Sequence, residues 1–198
     1  SNKNGIDVNL LDREGYAKSW KERSGLAFAG RISVAKGAAV IKHLILNIQQ
    51  PFHIVGNGPE LNELRQFCHK NRYRHAIFWE KQSREKTLEI LGSVVCTIVP
   101  SQCGETFSMV AAESMALGTP VVASDLGGLA ELVRAGGGIV ADATEYDQFS
   151  AAVLRYLENS SVAEEAGRKG QSYVYNHLST DARGEALIQI YENLLNKS

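Results

Sequence analysis

At 198 residues, with 44% hydrophobic and 22% charged side chains, the chain is long enough for one domain with a substantial core. No apolar run approaches the roughly 20 residues that would cross a bilayer, so a soluble globular fold is expected. Twenty-one Lys and Arg against 22 Asp and Glu give a formal charge of −1, which argues against a broad nucleic-acid footprint and leaves room only for a small, local anion site.

Residues 1–25, "SNKNGIDVNLLDREGYAKSWKERSG", are polar with little periodicity and read as an interdomain linker or lead-in with a short helix. From residue 26 to residue 198 the pattern changes to one domain. The runs "LAFAGRI", "FHIVG", "AIFWEK", "VVCTIVPS", "TPVVAS" and "GGIVAD" are strand candidates, separated by segments of helical length. Helices are expected at 36–49, 59–72, 84–91, 107–117 and 129–134. That alternation predicts an α/β fold, a Rossmann-like parallel sheet flanked by helices. From residue 144 onward three helical stretches follow, opening at "TEYD", "SSVA" and "STDA", each with a Ser or Thr able to cap it.

Three cysteines, Cys68, Cys96 and Cys103, are odd in number and lack C-x-x-C spacing. A disulfide framework or zinc site is therefore not expected, a reducing compartment is favoured, and the location is expected to be cytoplasmic. No secretory signal pattern opens the sequence.

The stretch "GETFSMVAAESMALGTPVV" carries the chemistry. At about 100° per residue, Met109, Glu113 and Leu117 fall on one face of the helix. No Lys, Arg or Asp occurs from Thr106 to Gly118, so Glu113 has no evident polar stripe to occupy. A buried carboxylate needs donors, so something should donate to Glu113; the alternative is a helix that skirts the surface with Glu113 pointing to water. Glu105 precedes this helix in the loop after a strand, where open parallel sheets bind ligands. The helix-start amides of Phe107, Ser108 and Met109 are suited to a phosphate. In "AGRISVAKG", Gly30 allows close approach, Arg31 can engage phosphate oxygens in two places, and Lys36 adds a point charge.

Together "GRISVAKG", "IVGNGPE", "VPSQCGETFSMVAAESMALGTPVVAS" and "GGLAELV" resemble the C-terminal half of GT-B-fold glycosyltransferases of the group 1 type, glycosyltransferase family 4. The hallmark is Glu, seven residues, Glu. "NGID" is similar to the segment that leads into this half. The resemblance implies a donor-binding domain whose N-terminal, acceptor-binding partner domain lies elsewhere in the full-length protein, with peripheral membrane association of that protein as an open alternative. It implies catalytic roles for Arg31, Lys36 and Glu105. The donor would be held by Gly30, Arg31, Lys36, Glu105, Thr106, Phe107, Ser108, Met109 and Glu113. Glu105 would bind sugar hydroxyls, Glu113 the ribose, and the loop at 80–82 the base. Ser108 stands where the family often has Gly, which narrows the sugar space. The implied reaction is retaining, metal-independent sugar transfer from a nucleotide sugar that is substrate rather than cofactor, in polysaccharide or glycoconjugate assembly. No D-x-D or clustered His occurs, no nucleic-acid partner is expected, and no nucleophile role is assigned to Glu105. A non-catalytic nucleotide-sugar-binding domain, or a nucleotide-sugar epimerase or phosphorylase on a related fold, are the alternatives.

"VGNGPE" lacks the third Gly of a dinucleotide fingerprint and reads as a tight turn into a helix. "DLGGLAEL" is either a turn or a pocket wall. Cys103 is a reactive thiol only if its surroundings are electropositive.

Overall fold

Apolar, β-branched-rich runs bounded by Gly, Pro and Ser become short strands that pair in parallel. The computed structural model describes residues 6–8, 11 and 14–182. Its strands are β1 (Leu26–Ala29), β2 (Phe52–Val55), β3 (Ala76–Trp79), β4 (Cys96–Val99), β5 (Val121–Ser124) and β6 (Ile139–Ala141). They form one sheet in the order β3-β2-β1-β4-β5-β6. Leu26 lies opposite Phe52 on one side and Cys96 on the other. The chain order therefore reverses between β1 and β4, and the crevice above their carboxyl ends is the topological switch point.

Seven helices of the described residues cover the sheet: α1 (Ala38–Asn47), α2 (Leu61–Asn71), α3 (Arg84–Leu91), α4 (Met109–Ala116), α5 (Gly127–Ala135), α6 (Tyr146–Leu157) and α7 (Ser160–His177). Side chains alternate across each strand. Leu26 and Phe28 join the core under α1, α2 and α6. Ala27 joins the opposite core under α3, α4 and α5. No described helix is long and apolar enough to cross a membrane.

All six expected strands form, and α3 has the expected bounds. The others differ at their ends for local reasons. A 3₁₀ turn (Val34–Lys36) precedes α1, because Gly37 at φ 82° interrupts the helical path. Helix α4 starts at Met109 because Ser108 is its N-cap, accepting from the Ala111 N–H at 3.4 Å. Thr144 and Ser160 are not caps. Thr144 instead turns back on Asp142, giving its N–H and hydroxyl to Oδ1 at 2.8 and 2.7 Å, and Glu145 and Asn159 take the cap positions without side-chain bonds. Most of the third C-terminal helix expected from residue 179 lies outside the described residues.

The lead-in touches this body at several points. Ile6, Val8 and Leu11 are buried, and the Ile6 N–H donates to the Leu178 carbonyl at 2.8 Å. Arg23 reaches the carbonyls just past the C-terminal end of α4. Its Nη2 donates to Leu117 O at 2.9 Å and its Nη1 to Thr119 Oγ1 at 2.6 Å, while its guanidinium lies 4.4 Å from the Trp20 ring centroid. A cation belongs at that end of a helix, where unpaired carbonyls collect. Burial lowers the Arg23 pKa to about 10, so it remains charged at neutral pH.

Residues 65–79 hold four of the 21 Lys and Arg and none of the 22 Asp and Glu. Lys70, Arg72 and Arg74 sit at or just past the C-terminus of α2, which favours cations. They also flank β3, the half-exposed edge strand, where charge discourages pairing with another chain.

Between β2 and β3, the Trp79 Nε1–H donates to His53 Nδ1 at 3.0 Å. That bond requires an unprotonated Nδ1, and burial together with Lys18 lowers the His53 pKa below its ordinary 6.5. The unfolded chain then binds the proton more readily, so stability is full above pH 6.5 and falls as pH drops through the lower folded value. Thermal melts at about pH 7.5 and about pH 5 should show a smaller acid-induced loss for His53→Asn than for the wild type. Equal losses would remove His53 from the account.

Candidate functional site

The switch-point crevice is assembled from three loops fastened mainly through their backbones. In the first, Gly30 N–H donates to Val55 O and Ile32 N–H to Asn57 O, both at 2.9 Å. Gly56, at φ 132°, lies so close that a Cβ would overlap the Gly30 carbonyl oxygen. These bonds join the β1 and β2 loops, and the "VGNG" turn thereby becomes a wall of the crevice. On the other side the Gln102 N–H donates to Ala35 O at 2.8 Å, and Gly37 packs against the Pro100 carbonyl with no room for a Cβ. The β1 and β4 loops are therefore held together. The Leu129 N–H of α5 donates to Glu105 O at 3.3 Å, so the "DLGG" turn supports the Glu105 loop from behind.

Two adjoining cavities open here. One, of about 360 Å³, is lined by Gly30, Arg31, Gly56, Asn57, Lys81, Gln82, Thr87 and Val110, with Ala29 and Val55 beneath. The other, of about 170 Å³, is lined by Lys36, Ser101, Glu105, Phe107, Ser108 and Met109, and shares Ala29, Gly30 and Val110 with the first. Gly30, Arg31, Lys36, Glu105, Phe107, Ser108 and Met109 thus face one crevice. Thr106 and Glu113 contribute no surface to either cavity. The loop at 80–82 enters through Lys81 and Gln82.

Lys36 and Glu105 meet directly: Lys36 Nζ and Ser101 Oγ both donate to Glu105 Oε1. Glu105 is the more enclosed of the pair, its side chain 13% exposed against 34% for Lys36. An ammonium has three N–H donors, so two remain for an incoming anion. Because α4 begins at Met109, the unpaired first-turn amides are those of Met109 and Val110, while Ala111 is taken by Ser108. They point toward the crevice end of the helix, where the macrodipole favours negative charge. Cations, free amides and a shielded carboxylate within one crevice can hold a phosphate and a hydroxylated group side by side.

Glu113 is buried, at 8% exposure. Its donor is Arg84, whose Nε reaches Glu113 Oε1 at 2.8 Å. Beneath α4, Ser114 Oγ donates to Thr97 Oγ1 at 2.7 Å, and past its end Thr119 Oγ1 donates to Leu91 O at 2.8 Å. Arg84 and Ser101 are the site residues that sequence reasoning missed. Arg84 had a signal, since an arginine at the first position of a helix opposes the dipole and calls for another role. Ser101, a lone serine after a strand, had none. Cys103 is exposed and unpaired with another cysteine, whereas Cys68 and Cys96 are buried.

The family model described as "Glycosyl transferases group 1" matches residues 17–173. An uncharacterised glycosyltransferase of Methanocaldococcus jannaschii is 28% identical over 171 residues, covering 86% of this chain and 47% of its own length. The chain thus spans about half of the relatives it matches. Among solved structures, Anabaena HepE in complex with UDP superposes with a TM-score of 0.80 at 19% identity, over 96% of this chain and 56% of its own. The C-terminal domain of a Francisella tularensis glycosyl transferase group 1 family protein (LpcC) superposes with a TM-score of 0.74 at 18% identity, over 89% of this chain and all of its own. The Rossmann-like sheet is therefore that of one half of the GT-B architecture. With a family match over most of the length and this crevice at its switch point, the chain belongs to the group 1 glycosyl transferases.

Proposed function

We propose that the chain is the donor-binding half of a retaining, metal-independent glycosyltransferase that moves a sugar from a nucleotide sugar to an acceptor in polysaccharide or glycoconjugate assembly. The observation that carries this reading is the convergence of Arg31, Lys36 and the free amides of Met109 and Val110 on a crevice that also holds Glu105. In it, the donor diphosphate lies against Arg31, Lys36 and the helix amides. As the bond to the sugar breaks, negative charge grows on the leaving nucleoside diphosphate, and these fixed donors stabilise it. Positive charge from side chains takes the place a metal would otherwise fill. Lys36 keeps one N–H on Glu105 while two reach phosphate, and Glu105 accepts from a sugar hydroxyl. The nucleoside extends along the 360 Å³ cavity, between the Gly56–Asn57 wall and the Lys81–Gln82 loop. The UDP-glucose complex of Anabaena HepE, which shares this fold, is consistent with such a donor. Retention at the anomeric carbon follows the family pattern.

The acceptor side and the exclusion of water fall to an N-terminal domain of the full-length protein, in keeping with the half-length match. Calorimetric titration with UDP, GDP and ADP, and with their sugar conjugates, tests the donor site. One base series is expected to bind with a Kd tighter than about 1 mM, and Arg31→Ala to weaken it about tenfold or more. No binding of any of them, or binding indifferent to Arg31→Ala, would refute the assignment.

A further inference from the structure

We infer that a separate cavity, at the open β3 edge of the sheet, is a binding site for an organic phosphate. Its volume of about 450 Å³ falls within the range of small-molecule sites, roughly 300–1,000 Å³. It shares no lining residue with either crevice cavity, and so stands whether or not those bind a donor.

A helix and a strand build it. Arg65, Cys68, His69 and the cap residue Arg72 recur at three and four along α2 and therefore share one face. On the edge strand β3, Ala76 and Phe78 alternate onto one side, and the turn between the two elements adds Tyr73 and Arg74. Cys68 is buried, and Tyr73, Ala76 and Phe78 are half-buried against the core. The floor is thus apolar and partly aromatic, and the rim is cationic, with no carboxylate among the described residues that line it. Arg65 is engaged, since its Nη1–H donates to Glu80 Oε1 at 3.1 Å. The side chains of Arg72, Arg74 and His69 have no partner among the described residues.

The helix dipole and the protection of an edge strand account for positive charge here, but not for the backbone of Arg72. At φ 59° it is, among the described residues, the one non-glycine with positive φ. Glycine or asparagine ordinarily takes this position past a helix end, and an arginine there is strained. Lys70, inside the last turn of α2, already serves the dipole, and edge protection requires no particular φ. A strained cation that lines a cavity and pairs with nothing points to a ligand. Planar guanidinium forks match phosphate oxygens, while Tyr73 and Phe78 offer rings to the body that carries the phosphate. A bare inorganic anion would leave the aromatic floor unused, and an apolar molecule would leave the rim unused. The ligand class is therefore a phosphate ester on a flat or apolar body, free in solution or displayed as a lipid headgroup.

The test is line broadening of phenyl phosphate in a phosphorus NMR titration of the full-length protein. A Kd of about 1 mM or tighter is expected, about threefold or more below that of inorganic phosphate. Arg72→Gly is the informative variant, because glycine suits this backbone: it should melt as high as the wild type or higher, yet bind about tenfold more weakly. Arg74→Ala should weaken binding by a similar factor. Replacing both by lysine keeps the charge but loses the forks, and should cost about threefold or more. Arg31→Ala, which disables the phosphate side of the donor crevice, should leave the affinity unchanged. Vesicles of phosphatidylcholine with about 20% phosphatidic acid separate the two sources. Retention on them that is lost in the double lysine variant assigns the phosphate to a headgroup, and binding of phenyl phosphate without retention assigns it to a soluble ester. Failure of both probes overturns the site, as does affinity unchanged in Arg72→Gly or in the double lysine variant. Inorganic phosphate binding as tightly as phenyl phosphate overturns the ligand class.

Discussion

Lys36→Ala should damage the enzyme more than Arg31→Ala does, with losses in kcat/KM of about 10³-fold against about 10- to 10²-fold in the full-length protein. The asymmetry comes from Glu105. On the proposed donor geometry, Arg31→Ala removes only a phosphate donor. Lys36→Ala removes a phosphate donor and also exposes the carboxylate that Lys36 neutralises, in a crevice where Glu105 is mostly shielded from water. The incoming diphosphate then meets an uncompensated like charge, and the penalty falls on binding as well as on the transition state. A rescue follows. Adding Glu105→Gln to Lys36→Ala should restore part of the affinity for a nucleoside diphosphate lacking the sugar, although transfer stays low because the sugar has lost its acceptor. Titration of UDP, GDP or ADP, whichever binds, into the single and double variants measures this. Equal affinities would show that Glu105 does not oppose the phosphates.

The second large effect concerns stability and site geometry together. Gly37→Ala places a methyl group where the Pro100 carbonyl oxygen stands, at a residue with φ 82°. Left-handed backbone in a non-glycine residue and forced displacement of a packed carbonyl together cost about 2–5 kcal/mol. For a domain of this size the melting temperature should fall by roughly 5–15 °C. Gly15 provides the control. Its φ is 63°, but nothing lies within 4 Å of an added Cβ, so Gly15→Ala should cost only the conformational part, about 1 kcal/mol. If the two variants melt together, the contact with Pro100 carries no weight. If Gly37→Ala is the less stable, its donor affinity should also drop, because that contact joins the loop of Lys36 to the loop of Glu105.

The sheet was legible because β-strands in a parallel α/β fold are buried on both faces, and runs such as "CTIV" and "VVAS" therefore lack charge altogether. The helix starts were less so. Gly37, Ser108 and Thr144 each sit near a helix start, and only tertiary contacts decide among interrupting, capping and turning back. At the site, the residues that stand in the loops after β1 and β4 could be placed in one crevice from their positions just past strands and from the family likeness. The pairings could not. Lys36 with Glu105 spans 69 positions and Arg84 with Glu113 spans 29, and local periodicity carries no information over such distances. Glu113 did announce that it needed a donor, because its helix held no charge to share a polar face. The sequence between residues 80 and 90 contains several candidates, and only the packing of α3 on α4 selects Arg84.

The fastening of the crevice by main chain has a consequence for how such a domain can change over time. Gly30 to Val55, Ile32 to Asn57 and Gln102 to Ala35 are amide-to-carbonyl links, which nearly every amino acid can supply. Side chains around them are free to drift while the loops keep their spacing, and on the proposed reading a new donor preference arises by exchanging the cavity-lining Lys81, Gln82 or Asn57 without rebuilding the scaffold. Divergence is then limited at a few glycines rather than spread over the whole pocket.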